Sequence, residues 1–152
     1  MKSIGKNAFS YCTGLTSLTI SEGVETIDES AFSNCTGLTN VTIPDSVSSL
    51  AYFAFGGCTR LKEVTLPANI ETIAGSTFEK CSGLESVTIP EKVKSIGTYA
   101  FYECTGLTSV TLSEGVTTIG ESAFEECTSL PSITIPKSVK SIEKFAFWHC
   151  SS

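Results

Sequence analysis

The sequence predicts an α/β repeat: a right-handed solenoid with one parallel sheet of about six short strands and short helices or 3-10 turns on the opposite side. Three observations predict it. Cysteines stand at Cys12, Cys35, Cys58, Cys81, Cys104, Cys127 and Cys150, and every gap between them is 23 residues. A fixed period of about 20 to 50 residues is the mark of stacked repeats. Apolar columns keep the same register as the cysteines, and within each unit their spacing switches from strand-like to helix-like.

Counted from Ile4, the units are 4–26, 27–49, 50–72, 73–95, 96–118 and 119–141, with a partial seventh at 142–152. Residues 1–152 therefore read as a single repeat domain with no linker. No capping unit is visible at either end, although an open solenoid end exposes core and strand edge. Two expectations follow: a segment of a longer protein, or a unit that stacks end to end on other copies. An engineered consensus-like array would have the same pattern.

Each unit divides into the same elements. After each cysteine up to Cys127 comes a leucine (Leu15, Leu38, Leu61, Leu84, Leu107, Leu130), then Val or Ile alternating with polar residues, as in Leu38-Thr-Asn-Val41-Thr-Ile43. That alternation is a short strand with one buried face. Pro44, Pro67, Pro90 and Pro136 end the strand, because proline has no N–H to continue a ladder. The next column holds Ile4, Ile27, Leu50, Ile73, Ile96, Ile119 and Ile142. From it to the cysteine, apolar residues fall at i, i+4, i+5 and i+8, as in Ile119, Ala123, Phe124 and Cys127, which predicts one or two helical turns. The phenylalanine column is complete: Phe9, Phe32, Phe55, Phe78, Phe101, Phe124 and Phe147, each preceded by alanine except at Thr77. A single unit buries too little to order itself, so the units must stack.

The columns L-x-x-V-x-I-P and I-x-x-x-A-F-x-x-C resemble the BspA-type leucine-rich repeat, and the resemblance covers residues 4–152. Where commoner leucine-rich repeats carry an asparagine ladder after the strand, this chain has Pro-x-x-Val. The resemblance implies a cell-surface or secreted protein and a role in adhesion or protein binding. Extracellular-matrix and cell-surface proteins are the implied partners.

Composition narrows the function classes. The chain is acidic, with 10 basic against 16 acidic side chains and a net charge of -6, which disfavours nucleic acid and anionic lipid. No apolar run reaches the roughly 20 residues of a membrane helix, and residues 1–20 lack a signal peptide's pattern. The cysteine column is open to three readings: buried free thiols, bridges between neighbouring units, or a metal site. Spacing by whole units disfavours the last two, since zinc ligands must converge and disulfide geometry is narrow. No phosphate loop, H-E-x-x-H or G-x-S-x-G motif occurs, and the one histidine, His149, has no assignable partners. The expectation is a non-enzyme without cofactor or metal, with phenylalanines and cysteines as structural ladders.

Three surface patterns remain. The outward strand column is threonine throughout: Thr19, Thr42, Thr65, Thr88, Thr111 and Thr134. Threonine suits an exposed strand, yet a flat, weakly charged array also suits a partner. The candidate partner-binding residues are Thr42, Glu63, Thr65, Glu85, Thr88 and Thr111. Two residues before each phenylalanine, Asn7, Ser30, Phe53, Ser76, Tyr99, Ser122 and Phe145 alternate small and large with a period of 46. Those large side chains either pack over the neighbouring serine or, with Tyr52, Tyr102 and Trp148, form an exposed aromatic strip. Two N-x-T sequons, at Asn34 and Asn40, carry weight only in a eukaryotic secretory protein.

Overall fold

The computed structural model describes residues 1–151; Ser152, the last residue of the partial unit, lies outside the described residues. Each unit is one rung with three sides. The first side carries the expected strand: β2 (Leu18–Thr19), β4 (Asn40–Thr42), β6 (Glu63–Thr65), β8 (Ser86–Thr88) and β10 (Ser109–Thr111). They form a five-stranded parallel sheet in the order β10-β8-β6-β4-β2. Register is unit on unit, with Val41 opposite Val64 and Thr42 opposite Thr65. Valines point inward and threonines outward, as the two-residue period requires.

A sixth strand at 132–134 does not form. Entry to the sheet is tied by one main-chain bond per junction, from Thr39 N–H to Thr16, Lys62 to Thr39, Glu85 to Lys62 and Thr108 to Glu85. The next donor in that series is Pro131, which has no N–H, so the ladder stops at β10.

The second side corrects the expectation of a single sheet. Its isoleucine column is a second parallel ladder, in two pieces. β1 (Ser3–Ile4), β3 (Thr26–Ile27) and β5 (Ser49–Leu50) make a three-stranded sheet. β7 (Thr72–Ile73), β9 (Ser95–Ile96), β11 (Thr118–Ile119) and β12 (Ser141–Ile142) make a four-stranded one.

The third side has no helix, which overturns the expectation of short helices there; it is a run of turns around the phenylalanine. Two residues in every unit explain this. Ser30 and Asn34, flanking Phe32, have φ of 57° and 56°, and the equivalent pairs run from Asn7 and Tyr11 to Phe145 and His149. A left-handed residue breaks a right-handed helix. The amides alternate as a result. Ser30, Phe32 and Asn34 donate to Tyr52, Ala54 and Gly56 of the next rung, while Ala31, Ser33 and Cys35 donate three residues back in their own rung. A helix would spend every donor locally, whereas this path ties each rung to the next.

The core lies between the three sides. Phe32, Phe55, Phe78, Phe101 and Phe124 are fully buried, and the end members Phe9 and Phe147 are partly exposed. Their rings stack with centroids 5.1 to 5.8 Å apart along the column, within the range where aromatic pairs attract. All seven cysteines are free. Each from Cys35 onward donates its S–H to the carbonyl of the preceding unit's phenylalanine: Cys35 to Phe9, Cys58 to Phe32, Cys81 to Phe55, Cys104 to Phe78 and Cys150 to Phe124 at 3.2 Å, Cys127 to Phe101 at 3.3 Å. Cysteine is therefore a small apolar filler that also supplies a weak donor. Burial pushes the Cys81 thiol up to about 12 and Cys104 well above its ordinary value.

Candidate functional site

The candidate site is the outer surface of the five-stranded sheet, where one junction differs from the others. Between β6 and β8 only Glu63 and Ser86 remain in register, so Val64 and Thr65 are not paired with Val87 and Thr88. The second ladder breaks at the same junction, since β5 ends one sheet and β7 begins another. At other junctions the second side is closed by bonds such as Ser48 to Glu25, Ala51 to Ile27, Lys94 to Glu71 and Gly97 to Ile73; the amides of Glu71 and Ala74 make no such bond. The Phe55 and Phe78 rings are 5.8 Å apart, the widest step in their stack. A seam thus runs between the third and fourth units on two sides of the solenoid.

The cause is local. In the other units the alanine before the phenylalanine closes its turn through the backbone, as Ala54 N–H does on Ala51 and Ala100 N–H on Gly97. At Thr77 the side-chain Oγ1 donates to the Ala74 carbonyl at 2.8 Å instead, and no backbone bond joins the pair. A hydroxyl that competes with the main chain reshapes the turn, and the residue it holds, Ala74, is one whose amide fails to reach the third unit. The isoleucine column has its one leucine, Leu50, on the other bank of the seam.

Two shallow grooves lie along the seam. The one on the first side, about 400 Å³, is lined by Glu63, Thr65, Leu66, Ser86, Thr88 and Pro90, with Val64 and Val87 at its floor. The other, about 480 Å³, lies over β5 and β7 and includes Ser48, Asn69, Glu71 and Ala74.

All six residues selected from the sequence are exposed, but they do not form one cluster. Glu63, Thr65 and Thr88 meet at the first groove. Glu85 faces a hollow it shares with Thr39, Asn40, Lys62 and Glu63, and its carboxylate pairs with Lys62 Nζ at 3.3 Å. Thr42 lines a separate hollow with Leu18, Asn40 and Pro44. Thr111 lies on the edge strand β10. Ser86, Leu66 and Pro90 were not singled out from the sequence; the available signal was the pair of column departures at Leu50 and Thr77.

Among the described residues no three His, Cys, Asp or Glu side chains converge to hold a metal ion. The site therefore offers hydroxyls, two carboxylates and one ammonium on a shallow sheet surface, a chemistry of many weak polar contacts.

The sequence matches the BspA type Leucine rich repeat region in six copies, over residues 2–107 and 76–152. The chain belongs to the BspA-type leucine-rich repeat family. Solved leucine-rich repeat proteins agree in fold. A leucine-rich repeat protein from Eubacterium ventriosum superposes with a TM-score of 0.90 at 31% identity, over 98% of this chain and 40% of that one. A leucine rich cell surface protein from Faecalibacterium prausnitzii gives 0.73 at 34% identity, over 84% of this chain and 31% of that one. The pneumococcal vaccine antigen PcpA gives 0.61 at 29% identity, over 97% and 40%. The chain thus spans well under half the length of these relatives. No curated protein matches the sequence.

Proposed function

We propose that this BspA-type repeat segment is a non-catalytic binding module of a cell-surface or secreted protein, holding protein partners through its strand face. Extracellular-matrix and cell-surface proteins are the partner classes, and adhesion is the activity. One observation carries this reading: the exposed threonine surface meets a seam, where Glu63, Thr65 and Thr88 edge a groove with an apolar floor. Groove and flat array together provide an anchor point and an extended rim, the arrangement by which interfaces gain specificity. The surface location is supported by the Faecalibacterium relative, described as a cell surface protein, and by the pneumococcal antigen.

The test is binding of the purified chain to immobilised extracellular-matrix proteins and to cultured cells, beside a Thr65→Lys, Thr88→Lys, Thr111→Lys variant. All three residues are exposed, so circular dichroism should show an intact fold. Saturable binding that the triple variant loses supports the reading. Binding that survives the substitutions overturns the choice of face, and no saturable binding overturns the adhesive role. Light scattering over a concentration series separates this from end-to-end stacking, which would raise the mass with concentration.

A further inference from the structure

The turn side carries a second surface of different chemistry, remote in character from the threonine face. One column there, immediately after the phenylalanines, reads Glu79, Tyr102, Glu125, Trp148 on four successive rungs, carboxylate alternating with aromatic ring. Main-chain bonds fix these as direct neighbours: Lys80 N–H donates to the Tyr102 carbonyl, Glu103 to Glu125 and Glu126 to Trp148. The column two residues before the phenylalanines sharpens the relief. Tyr99 sets its ring edge-on to Tyr102, with centroids 5.3 Å apart, and Phe145 lies 5.9 Å from Trp148. The rung between these two aromatic pairs has buried Ser122 in that column and Glu125 beside it.

The outcome is a notch with aromatic walls and a carboxylate at its base. Tyr102 and Trp148 stand two rungs apart, about 10 Å at the usual strand spacing, which leaves room for one flat cation between them. Tyr99, Phe145 and Trp148 are 40, 54 and 49% exposed and Tyr102 is half-buried, so part of each ring stays open. Some carboxylates are paired across rungs, as in Lys2 with Glu25, Lys6 with Glu29 and Lys144 with Glu121. Glu126 has His149, at 2.6 Å, whose ring stacks on Trp148. Glu125 has no cationic partner among the described residues. The Tyr102 hydroxyl is held by a hydrogen bond to Glu103, which with burial and the nearby charges of Glu103, Glu125 and Glu126 pushes its pKa up to about 12.

We propose that this notch binds an arginine side chain of an extended protein segment, the guanidinium lying between Tyr102 and Trp148 and pairing with Glu125. Arginine fits better than lysine because its plane stacks on aromatic faces while its N–H fork meets the carboxylate. Unpaired carboxylate and ring quadrupole favour a cation, and in this column only the rung of Glu125 has aromatic residues on both sides, since Glu79 has Gly56 on its other side.

The test uses the full chain and a labelled peptide of alternating arginine and glycine, titrated by anisotropy and by Trp148 fluorescence. Glu125→Gln and Tyr102→Ala should each weaken binding by about fivefold or more. The charge-matched Glu91→Gln, on an exposed residue of another side, should leave it unchanged, and an equally long lysine peptide should bind more weakly. Circular dichroism establishes that the variants are folded. Equal losses in Glu91→Gln and Glu125→Gln would show attraction to net charge alone and overturn the proposal. Undiminished binding in Tyr102→Ala overturns it too, as does full competition by free arginine amide at the same concentration of side chains.

Discussion

Thr77 Oγ1 donates to the Ala74 carbonyl at 2.8 Å, taking the place of the backbone bond that closes this turn in the neighbouring units. This hydroxyl sits at the bank where the second ladder opens between the third and fourth units. Thr77→Ala should restore the backbone turn and let the Ala74 amide reach the Leu50 carbonyl. The expected gain is about 1 kcal/mol per recovered hydrogen bond. Hydrogen exchange measures it: in the parent chain the Glu71 and Ala74 amides should exchange faster than Lys94 and Gly97, and the variant should remove the difference at Ala74. Unchanged exchange at Ala74 would assign the seam to Leu50 instead.

Pro131 stops the first ladder by withholding a donor from the Thr108 carbonyl. Pro131→Thr should add that bond and extend β-structure over 132–134, giving about 0.5 to 1.5 kcal/mol of stability. A protected amide at position 131 and a higher urea midpoint are the expected readings; a solvent-exchanging amide there would mean that the missing N–H is not what ends the sheet.

Left-handed residues are unavoidable in each rung, and one unit already uses Gly57, with φ of 74°, where another has Lys80, with φ of 60°. An L-residue in that region costs about 1 to 2 kcal/mol. Lys80→Gly should therefore stabilise the fold, offset in part by the greater freedom of glycine in the unfolded chain. Lys80→Val should destabilise it by more than 1 kcal/mol, roughly, because a β-branched residue resists this conformation. Thermal midpoints in the order Gly, Lys, Val from highest to lowest check the argument.

The buried thiols make the fold sensitive to alkali. Cys81 keeps its proton up to about 12 when folded, against an ordinary 9.0, and Cys104 shifts in the same direction. Between those values the unfolded chain has released protons that the folded chain retains, so stability falls as pH rises through this window. Below pH 9 neither state is ionised and the effect vanishes. The slope is on the order of 1 kcal/mol per thiol per pH unit. Urea titrations of reduced protein at pH 8 and pH 10 should show the loss, and Cys81→Ala should make it shallower; equal slopes in both chains would contradict it.

Much of this architecture is legible in the chain itself. The cysteine spacing counts the rungs, the alternation around Val41, Val64 and Val87 marks the first strand column, and proline marks where it ends. The turn side was misread because Ile119, Ala123, Phe124 and Cys127 fall at helical intervals that a stacked run of turns also satisfies. A sequence signal existed: the two positions flanking each phenylalanine by two residues never hold Val, Ile or Thr in this threonine-rich chain, as left-handed backbone requires. The candidate residues are exposed, while their grouping was not legible, because it depends on which strand pairs stay closed.

Repetition by itself determined that this chain is a stacked solenoid: matching columns at a fixed period can bury their apolar faces only by stacking in register. Only the tertiary structure decided where the rungs differ. A threonine in an alanine column reads as a small polar change until its hydroxyl is found on the Ala74 carbonyl, and Glu125 reads as one more surface acid until Tyr102 and Trp148 stand on either side of it. The reason is physical: repeats specify what every junction shares, whereas a groove or notch arises from side chains on different rungs, brought together by the stack.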